Sequence, residues 1–550
     1  MHTQELDLPN SINLWLEAAY EAFADRPAFT HIGVTLTYSE LERLSANLAA
    51  YWQHETDLVP GDRVAVLLPN NLQYPIVAHA ILRCGFVLVN INPLLSQDEL
   101  LHQLRDSAPR ALVFLEVFGD LVERLHGDIA PDYILMARLG DLHTTHQRFM
   151  INTVARYLHR RVPEFDLPNA TPFMAALLKG EAHAFKAPAL TPDHVTLIQY
   201  TLGTTGLARG VMLTQRNLMA NVAQLQQHLT DPTADTQALI PGRERVMAPL
   251  PLYHLYAFTA HCLCLFSLGA HSILVTNPRD ITGLIRTLKQ WDVTAMVGIQ
   301  TLFEHALNHK EFAHLSFHGF KWTLAGGAAL TQMVAQRWEH ATQAPLVNAY
   351  GLSEASPAVT MAALTQPYEG HVGKPLLHTE VSIRAVDGTQ LPSEQVGEIW
   401  VRGPQVFAGY WNAPETTHSV LSKDGWLRTG DVGRLDHAGN LTVIDRLKDV
   451  IQVAGFNVYP SEIEAVVAQH PKVKTCAVVG EPDGHGHVRI HLYVVPIDEA
   501  VSDKEMIHYC RARLDGYKVP KSVTCLDSLP QSAVGKVLRR VLRQRTQQQH

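Results

Sequence analysis

Six cysteines are spread over 550 residues, and no two of them form a CxxC pair: Cys84, Cys262, Cys264, Cys476, Cys510 and Cys525. This lack of paired thiols suggests neither a zinc site nor a disulfide framework, and it fits a reducing cytoplasm. The thirty histidines contain no HExxH or comparable ligand spacing, so most are expected to be structural or exposed. A basic balance is missing as well. The formal charge is −8 and the pI about 6.4, which leaves no electrostatic case for nucleic acid as the main partner. The basic tail of Arg539, Arg540, Arg543 and Arg545 reads as a frayed terminus. Residues 1–7 are polar and acidic, unlike a signal peptide. One stretch, 257–275, is uncharged and long enough to suggest a membrane span. It holds His261 and His271, and Gly269 stands where a helix would stop before a strand at 272–275. A buried helix followed by a buried strand is the expectation there.

Against these absences stands ordinary globular material, 46% hydrophobic and 18% charged, on a chain too long for one core. Residues 62–68 read as a buried strand, 74–84 as a helix with apolar spacing, and 86–89 as the next strand. This βαβ rhythm predicts an α/β fold with parallel sheets covered by helices. Near residue 445 the texture changes. Ser461-Glu462-Ile463-Glu464 and Ser502-Asp503-Lys504-Glu505 both match the capping box that opens a helix, with strands around 476–479 and 490–495 between them. The expected division is a large N-terminal domain of β-sheets flanked by helices, 1–445, and a small α+β C-terminal domain, 446–550.

The stretch Tyr200-Thr201-Leu202-Gly203-Thr204-Thr205-Gly206-Leu207-Ala208-Arg209-Gly210 follows a strand at 195–200. Glycines let backbone N–H groups turn inward to form an anion nest, threonine hydroxyls add donors, and Arg209 supplies charge. A triphosphate requires such a cradle. The GxxxxGK[ST] loop is excluded, because 211–213 reads as a strand rather than a helix. The segment therefore joins two strands, either as a phosphate loop or as a plain glycine-rich hairpin turn.

At this point the chain resembles a known family. The loop is similar to the phosphate-binding signature of the superfamily that holds acyl-CoA synthetases, peptide-synthetase adenylation domains and luciferases. Leu202 stands where that family has Ser or Gly, and Arg209 replaces its usual Lys, keeping the charge without the compact ammonium. Further collinear motifs extend the resemblance. Pro249-Leu250-Pro251-Leu252-Tyr253-His254 resembles the segment whose His lies beside the carboxylate, with Tyr256 and Phe258 implied as acyl-pocket residues. Gly326, Gly327 and Ala328 resemble the adenine-side turn. Tyr350-Gly351-Leu352-Ser353-Glu354 resembles the motif whose ring stacks on adenine, whose hydroxyl meets phosphate and whose Glu354 binds Mg²⁺. Gly425-Trp426-Leu427-Arg428-Thr429-Gly430-Asp431 implies Asp431 as acceptor of both ribose hydroxyls. In Asp445-Arg446-Leu447-Lys448-Asp449, Arg446 matches the ribose-contacting arginine and Lys448 the hinge. Gly455 and Phe456 match the loop lining the pantetheine channel of coenzyme A, and Lys536 in Pro530-Gln531-Ser532-Ala533-Val534-Gly535-Lys536 matches the catalytic lysine.

The resemblance implies ATP-dependent activation of a carboxylic acid to an acyl-AMP, then transfer to coenzyme A. Thr204, Glu354, His254 and Lys536 are implied as catalytic, and Thr201, Gly203, Thr205 and Gly206 as further nucleotide ligands. The small domain would be mobile, exchanging Lys536 for Gly455 between the two steps. Similarity to proteobacterial long-chain fatty acyl-CoA ligases, including Gly455-Phe456-Asn457-Val458-Tyr459-Pro460, favours a long-chain fatty acid. Medium-chain or aryl acids are the competing substrates, and a degenerate, non-catalytic acyl or nucleotide sensor is the competing function. Residues 148–161 form an expected helix with Met150, Ile151, Val154 and Leu158 on one face and Arg148, Arg156, Arg160 and Arg161 elsewhere. Such a helix suits weak peripheral contact with the inner face of an anionic membrane, or ordinary packing. A homodimer is left open.

Overall fold

A computed structural model of the chain describes residues 8, 11–155, 162–202, 208–277, 279–453, 456–482, 488–498, 501–531 and 537–548. They divide into two compact units. The larger comprises 1–370, 375–380 and 402–427, and the smaller 371–374, 381–401 and 428–550.

In the larger unit the βαβ expectation is met. Strand Arg63–Leu67 leads into helix Gln73–Cys84, and strand Val87–Asn90 returns parallel to it. Gly85, with φ of 69°, ends the helix in the left-handed conformation, and its N–H caps the carbonyls of Ile81 and Leu82. These strands form the centre of an eight-stranded sheet that extends on one side through Val195–Leu202, Ala208–Thr214 and Gly409–Tyr410. A second, nine-stranded sheet has a parallel middle: Leu346–Gly351, Trp322–Ala325, Ala295–Gly298, Arg245–Ala248 and His271–Leu274 lie side by side in that order. Helix Gln73–Cys84 is buried along its whole length. One apolar cluster joins its Ile76, Val77 and Ile81 to Val64 of the first sheet and to Met247 and Ile273 of the second. A helix without a polar face is what packing on two sides demands.

The uncharged stretch is a buried helical segment followed by strand His271–Leu274, as its glycine suggested, and no described helix is long and apolar enough to cross a membrane. Its helix is not uniform, however. Residues Leu255–Ala257 and Leu265–Ser267 are α-helical, whereas Phe258–Cys264 winds as a π-helix. Gly269 has φ of 71°, and a Cβ there would lie 2.5 Å from the Phe23 ring. The amphipathic candidate begins earlier than expected, as helix Thr145–Thr153, with no residue buried and with Phe149 and Met150 exposed. Arg156, Leu158, Arg160 and Arg161 lie outside the described residues.

The smaller unit centres on the three-stranded sheet of Val473–Pro482, Val488–Pro496 and Ser522–Cys525. Alternation along these strands supplies two separate apolar layers. Val478, Ile490, Leu492 and Val494 join Ile463 and Met506 of helices Pro460–Val467 and Asp503–Arg511. Ala477, Val479, Tyr493 and Val495 instead meet Leu542 of helix Arg539–Gln548. A four-stranded sheet ending in Leu427–Leu435 and Leu441–Arg446 precedes them. Residues 428–445 thus group with the smaller unit, and Asp445 accepts the Ser461 N–H at 2.9 Å.

Three local expectations need correction. Ser461 does not cap its helix. Pro460 takes the first turn, with Tyr459 as an N-cap that makes no side-chain bond, and the Ser461 hydroxyl donates instead to the Ile444 carbonyl at 2.8 Å. Ser502 does cap its helix, accepting from the Glu505 N–H at 3.2 Å, but the Glu505 carboxylate pairs with Lys472 at 3.2 Å. The basic tail is not frayed through Arg539–Arg543. Leu542 is fully buried, Tyr493 donates to its carbonyl at 3.2 Å, and Arg539 and Arg543 are ion-paired. Arg539 and Arg543, two of the four charges that suggested a solvated end, have acidic partners up to 94 positions away.

Five histidines of the larger unit are desolvated enough to prefer the neutral form. Burial lowers His31, His79, His254 and His271 to about 4 and His261 to about 3. Unfolded, each takes up a proton below about 6.5, so the unfolded state binds more protons in the window below that value. Stability then rises with pH across it. Acidification from pH 6.5 towards 4 is expected to lower the unfolding midpoint progressively, each histidine withdrawing up to about 1.4 kcal/mol per pH unit. A midpoint that stays level through this window in a thermal melt contradicts the assignment.

Candidate functional site

Three loops leave the same edge of the nine-stranded sheet, at the C-terminal ends of its parallel strands, where α/β folds bind ligands. Pro249 to His254 follow strand Arg245–Ala248. Gly326, Gly327 and Ala328 follow Trp322–Ala325, and the Glu354 turn follows Leu346–Gly351. His254 half-caps the short helix Leu255–Ala257, its Nδ1 accepting the Tyr256 N–H at 3.3 Å. That bond assigns the ring proton of the neutral imidazole to Nε2, leaving a donor rather than a base. Tyr256 donates its hydroxyl to the Leu324 carbonyl at 3.2 Å, and a Cβ on Gly326 would lie 3.3 Å from its ring.

Glu354 sits in the 3₁₀ turn Ser353–Ala355. Gly351 enters this turn against the backbone: a Cβ there would stand 2.1 Å from the Pro357 carbonyl oxygen. Around it the chain is buried and irregular, so its polar groups need partners outside the sheet ladders. Helix Gln215–Leu229 supplies them through side-chain amides. Asn221 donates to the Ala358 carbonyl at 2.8 Å and accepts the Ala358 N–H at 3.0 Å. Asn217 donates to the carbonyls of Pro404 and Val406, and Gln224 to Leu377 and Gln405. The Phe407 N–H closes the set on the Glu354 carbonyl at 2.9 Å.

The hairpin of Val195–Leu202 and Ala208–Thr214 places Thr201 opposite Arg209. Its tip, with Gly203, Thr204, Thr205 and Gly206, lies outside the described residues. The Arg209 guanidinium lies 6.0 Å from the centroid of the Tyr410 ring, and the Tyr410 hydroxyl donates to Glu354 Oε1 at 2.7 Å. A planar guanidinium can face a ring in a way an ammonium does less well, which gives the Lys-to-Arg departure a physical setting. Sequence reasoning missed Tyr410. Its only signal was the aromatic pair Tyr410-Trp411 after Gly409. Tyr350 is buried beside this turn, its strand paired with Ala358–Met361 at Thr360.

Within the larger unit a small apolar cavity of about 30 Å³ is walled by Leu225, Leu229, Tyr256, Trp322, Leu324 and Met361, among others. The π-helix contributes Thr259, Ala260 and Cys264 to the same wall. Its polar groups are turned inward. Thr259 donates to the Ser356 carbonyl at 3.1 Å, Tyr256 to Leu324, and burial pushes the Cys264 thiol up to about 12. Of the three residues implied for an acyl pocket, Tyr256 lines this cavity, whereas His254 does not and Phe258 is fully buried in the core.

In the smaller unit, strands Leu427–Leu435 and Leu441–Arg446 pair Asp431 with Arg446, whose Nε lies 2.7 Å from Asp431 Oδ1. Lys448 occupies the turn Leu447–Asp449, its pKa lowered by burial and by the Arg446 charge. Phe456 is exposed and stacks on Tyr517 with centroids 4.7 Å apart. Gly455 and Lys536 lie outside the described residues. Among the described residues no group of three His, Cys, Asp or Glu side chains is arranged to hold a metal ion.

Residues 16–411 match the family model described as AMP-binding enzyme, and residues 462–536 match its C-terminal domain. A long-chain-fatty-acid–CoA ligase of Escherichia coli O6:H1 is 41% identical over 98% of this chain and 96% of its own. One from Yersinia pestis is 42% identical over 98% and 94%. Among solved structures, an anthranilate CoA ligase in complex with anthranoyl-AMP superposes with a TM-score of 0.84 over 99% of both chains at 19% identity, a likeness of fold alone.

The Glu354 turn provides a test that needs no relative. Gly351→Ala drives a methyl into the Pro357 carbonyl, and the expected loss is about 1–3 kcal/mol of stability. Chemical denaturation checks it, and an unchanged midpoint shows that the turn yields without cost.

Proposed function

The chain belongs to the AMP-binding enzyme family, and from that premise we propose that it is a long-chain-fatty-acid–CoA ligase. The carboxylate of the acid attacks the α-phosphorus of ATP, pyrophosphate leaves, and an acyl-AMP forms. The thiol of coenzyme A then attacks the acyl carbonyl and AMP leaves. The observation that carries the fatty acid over an aryl acid is the 41–42% identity to long-chain-fatty-acid–CoA ligases over 98% of this chain. The small apolar cavity agrees with an apolar substrate, because its hydroxyls are already bonded within the protein and its thiol is neutral.

Roles follow from the resemblance and the local geometry together. His254, donating through Nε2, meets the carboxylate beside Tyr256. Gly326, Gly327, Ala328 and Tyr350 receive adenine, and Asp431, oriented by Arg446, receives the ribose hydroxyls. Thr201, Gly203, Thr204, Thr205, Gly206, Arg209 and Ser353 bind the phosphates. Glu354 fits a hard divalent cation, being a single carboxylate steadied by Tyr410, since Mg²⁺ is commonly held by one or two carboxylates plus substrate phosphates. When bound there, Mg²⁺ supplies neutralising charge to the phosphates. Lys536 donates to the charge developing in the first step, Lys448 is the pivot between steps, and Gly455 and Phe456 border the pantetheine.

Acid-dependent AMP formation with ATP, Mg²⁺ and coenzyme A, across fatty acids of graded length, tests this reading. Product is expected to peak at long chains, and Lys536→Ala to lower the rate by about 10²–10³. A peak at medium chains moves the substrate class, and ligand binding without turnover for any acid replaces the enzyme by a sensor. Helix Thr145–Thr153, with Phe149 and Met150 exposed, supports weak peripheral membrane contact. Flotation with anionic liposomes is expected to show salt-sensitive binding, and its absence removes that partner.

A further inference from the structure

Tyr410 touches both the strand that carries Arg209 and the turn that carries Glu354, and the reaction proposed above gives it no substrate to bind. Its hydroxyl donates to Glu354 Oε1 at 2.7 Å, and its ring centroid lies 6.0 Å from the Arg209 guanidinium carbon. Strand register explains the second contact. Gly409 pairs with Met212, and Tyr410 with Val211. Side chains two positions apart along a strand share a face, so Arg209 and Val211 lie on the face that Tyr410 occupies. The arginine is the diagonal cross-strand neighbour of the tyrosine, a spacing that long side chains bridge.

The tyrosine is fixed from several directions. Its own N–H donates to Thr417 Oγ1 at 2.9 Å, and the Trp411 N–H to the Gly210 carbonyl at 2.7 Å. Gly409 makes the first of these bonds possible. Its φ is 139°, and a Cβ there would stand 2.8 Å from Thr417 Cγ2, crowding the threonine away from its partner. The buried Phe407 ring meets the Tyr410 ring edge-on, with centroids 5.0 Å apart. Phe407 also donates its N–H to the Glu354 carbonyl at 2.9 Å. Tyr410 is therefore referenced to Glu354 twice, through its hydroxyl and through the residue that packs its ring.

We propose that Tyr410 is a positioning residue for both charges of the phosphate site. Its hydroxyl orients Glu354 for the divalent cation of a bound nucleotide, and its ring holds the Arg209 guanidinium in place. A partner behind a metal-binding carboxylate fixes its orientation, and a ring face attracts a planar cation. The two tasks use different parts of one side chain, so they come apart chemically. The inference rests on the reading above, in which Glu354 meets Mg²⁺ and Arg209 meets phosphate. Tyr410 acts through those two groups and not on the reacting atoms.

The test is binding of α,β-methylene-ATP, which cannot be cleaved at the bond that adenylation breaks. Isothermal titration calorimetry on the full-length protein measures it with Mg²⁺ and again in EDTA. Wild-type binding is expected to be tighter with Mg²⁺. Tyr410→Phe keeps the ring; it is expected to lose affinity roughly tenfold with Mg²⁺ and to stay within about twofold of wild type in EDTA. The EDTA arm also reports that this variant has folded. Tyr410→Leu removes ring and hydroxyl together, and is expected to weaken binding in EDTA as well, by about threefold. Adding Tyr410→Phe to Glu354→Gln is expected to change nothing further, because the hydroxyl acts only through that carboxylate. A Phe variant that loses affinity equally in both conditions, or in neither, overturns the inference. A Leu variant that matches the Phe variant in EDTA overturns the part played by the ring. Wild-type binding indifferent to Mg²⁺ overturns instead the Mg²⁺ reading of Glu354, and the inference with it.

Discussion

Buried, irregular backbone must find hydrogen-bond partners, and the larger unit depends on how it meets that constraint around Glu354. Each unsatisfied group there would cost about 1–3 kcal/mol. Asn217, Asn221 and Gln224 lie one turn apart on helix Gln215–Leu229: Asn217 takes up the Pro404 and Val406 carbonyls, Asn221 that of Ala358 and Gln224 that of Leu377, while the Ser356 hydroxyl donates to the Gln405 carbonyl. The helix begins at Thr214, the last residue of the hairpin strand that carries Arg209, and Thr214 caps it. One rigid element therefore sets both the hairpin and the Glu354 turn. Tyr410, held at the end of the same network, meets Glu354 and faces Arg209.

The cavity follows from the same economy of polar groups. A π-turn shifts side chains relative to a regular helix, and such turns are frequent at functional sites. Here it brings Thr259, Ala260 and Cys264 to one wall and directs the Thr259 hydroxyl to a backbone carbonyl instead of the open space. His254, kept neutral by desolvation, brings a donor without a charge to this region.

The smaller unit answers a different physical problem, how to fasten two faces of a three-stranded sheet. Strand alternation divides its side chains between two apolar layers of unequal size. The larger layer carries two helices and the Phe456 hairpin. The smaller carries one helix, and the buried carboxylates of Asp445 and Asp449 with the half-buried one of Glu464 complete its attachment. Burying those carboxylates would be costly without the guanidinium groups opposite them. The basic tail is part of that balance.

Local pattern made much of this legible. The βαβ run at 63–90, the helix stop at Gly269, the antiparallel strands 195–202 and 208–214 and the strands of the smaller unit all follow from periodicity, glycine placement and turn chemistry, which act over a few residues. Collinear motifs supplied the family resemblance and its implied residues. Where local rules competed, they misled: Ser461 fits a capping box, yet Pro460 occupies the first turn and Asp445 takes the Ser461 N–H. The tertiary structure alone decided the rest. Asn217 meets carbonyls 187 and 189 positions away, Tyr410 meets Glu354 across 56, and Arg543 meets Asp449 across 94. A composition of amides or arginines does not say which distant groups lack a partner. That is settled only when burial strips those groups of water and the nearest donor must replace it.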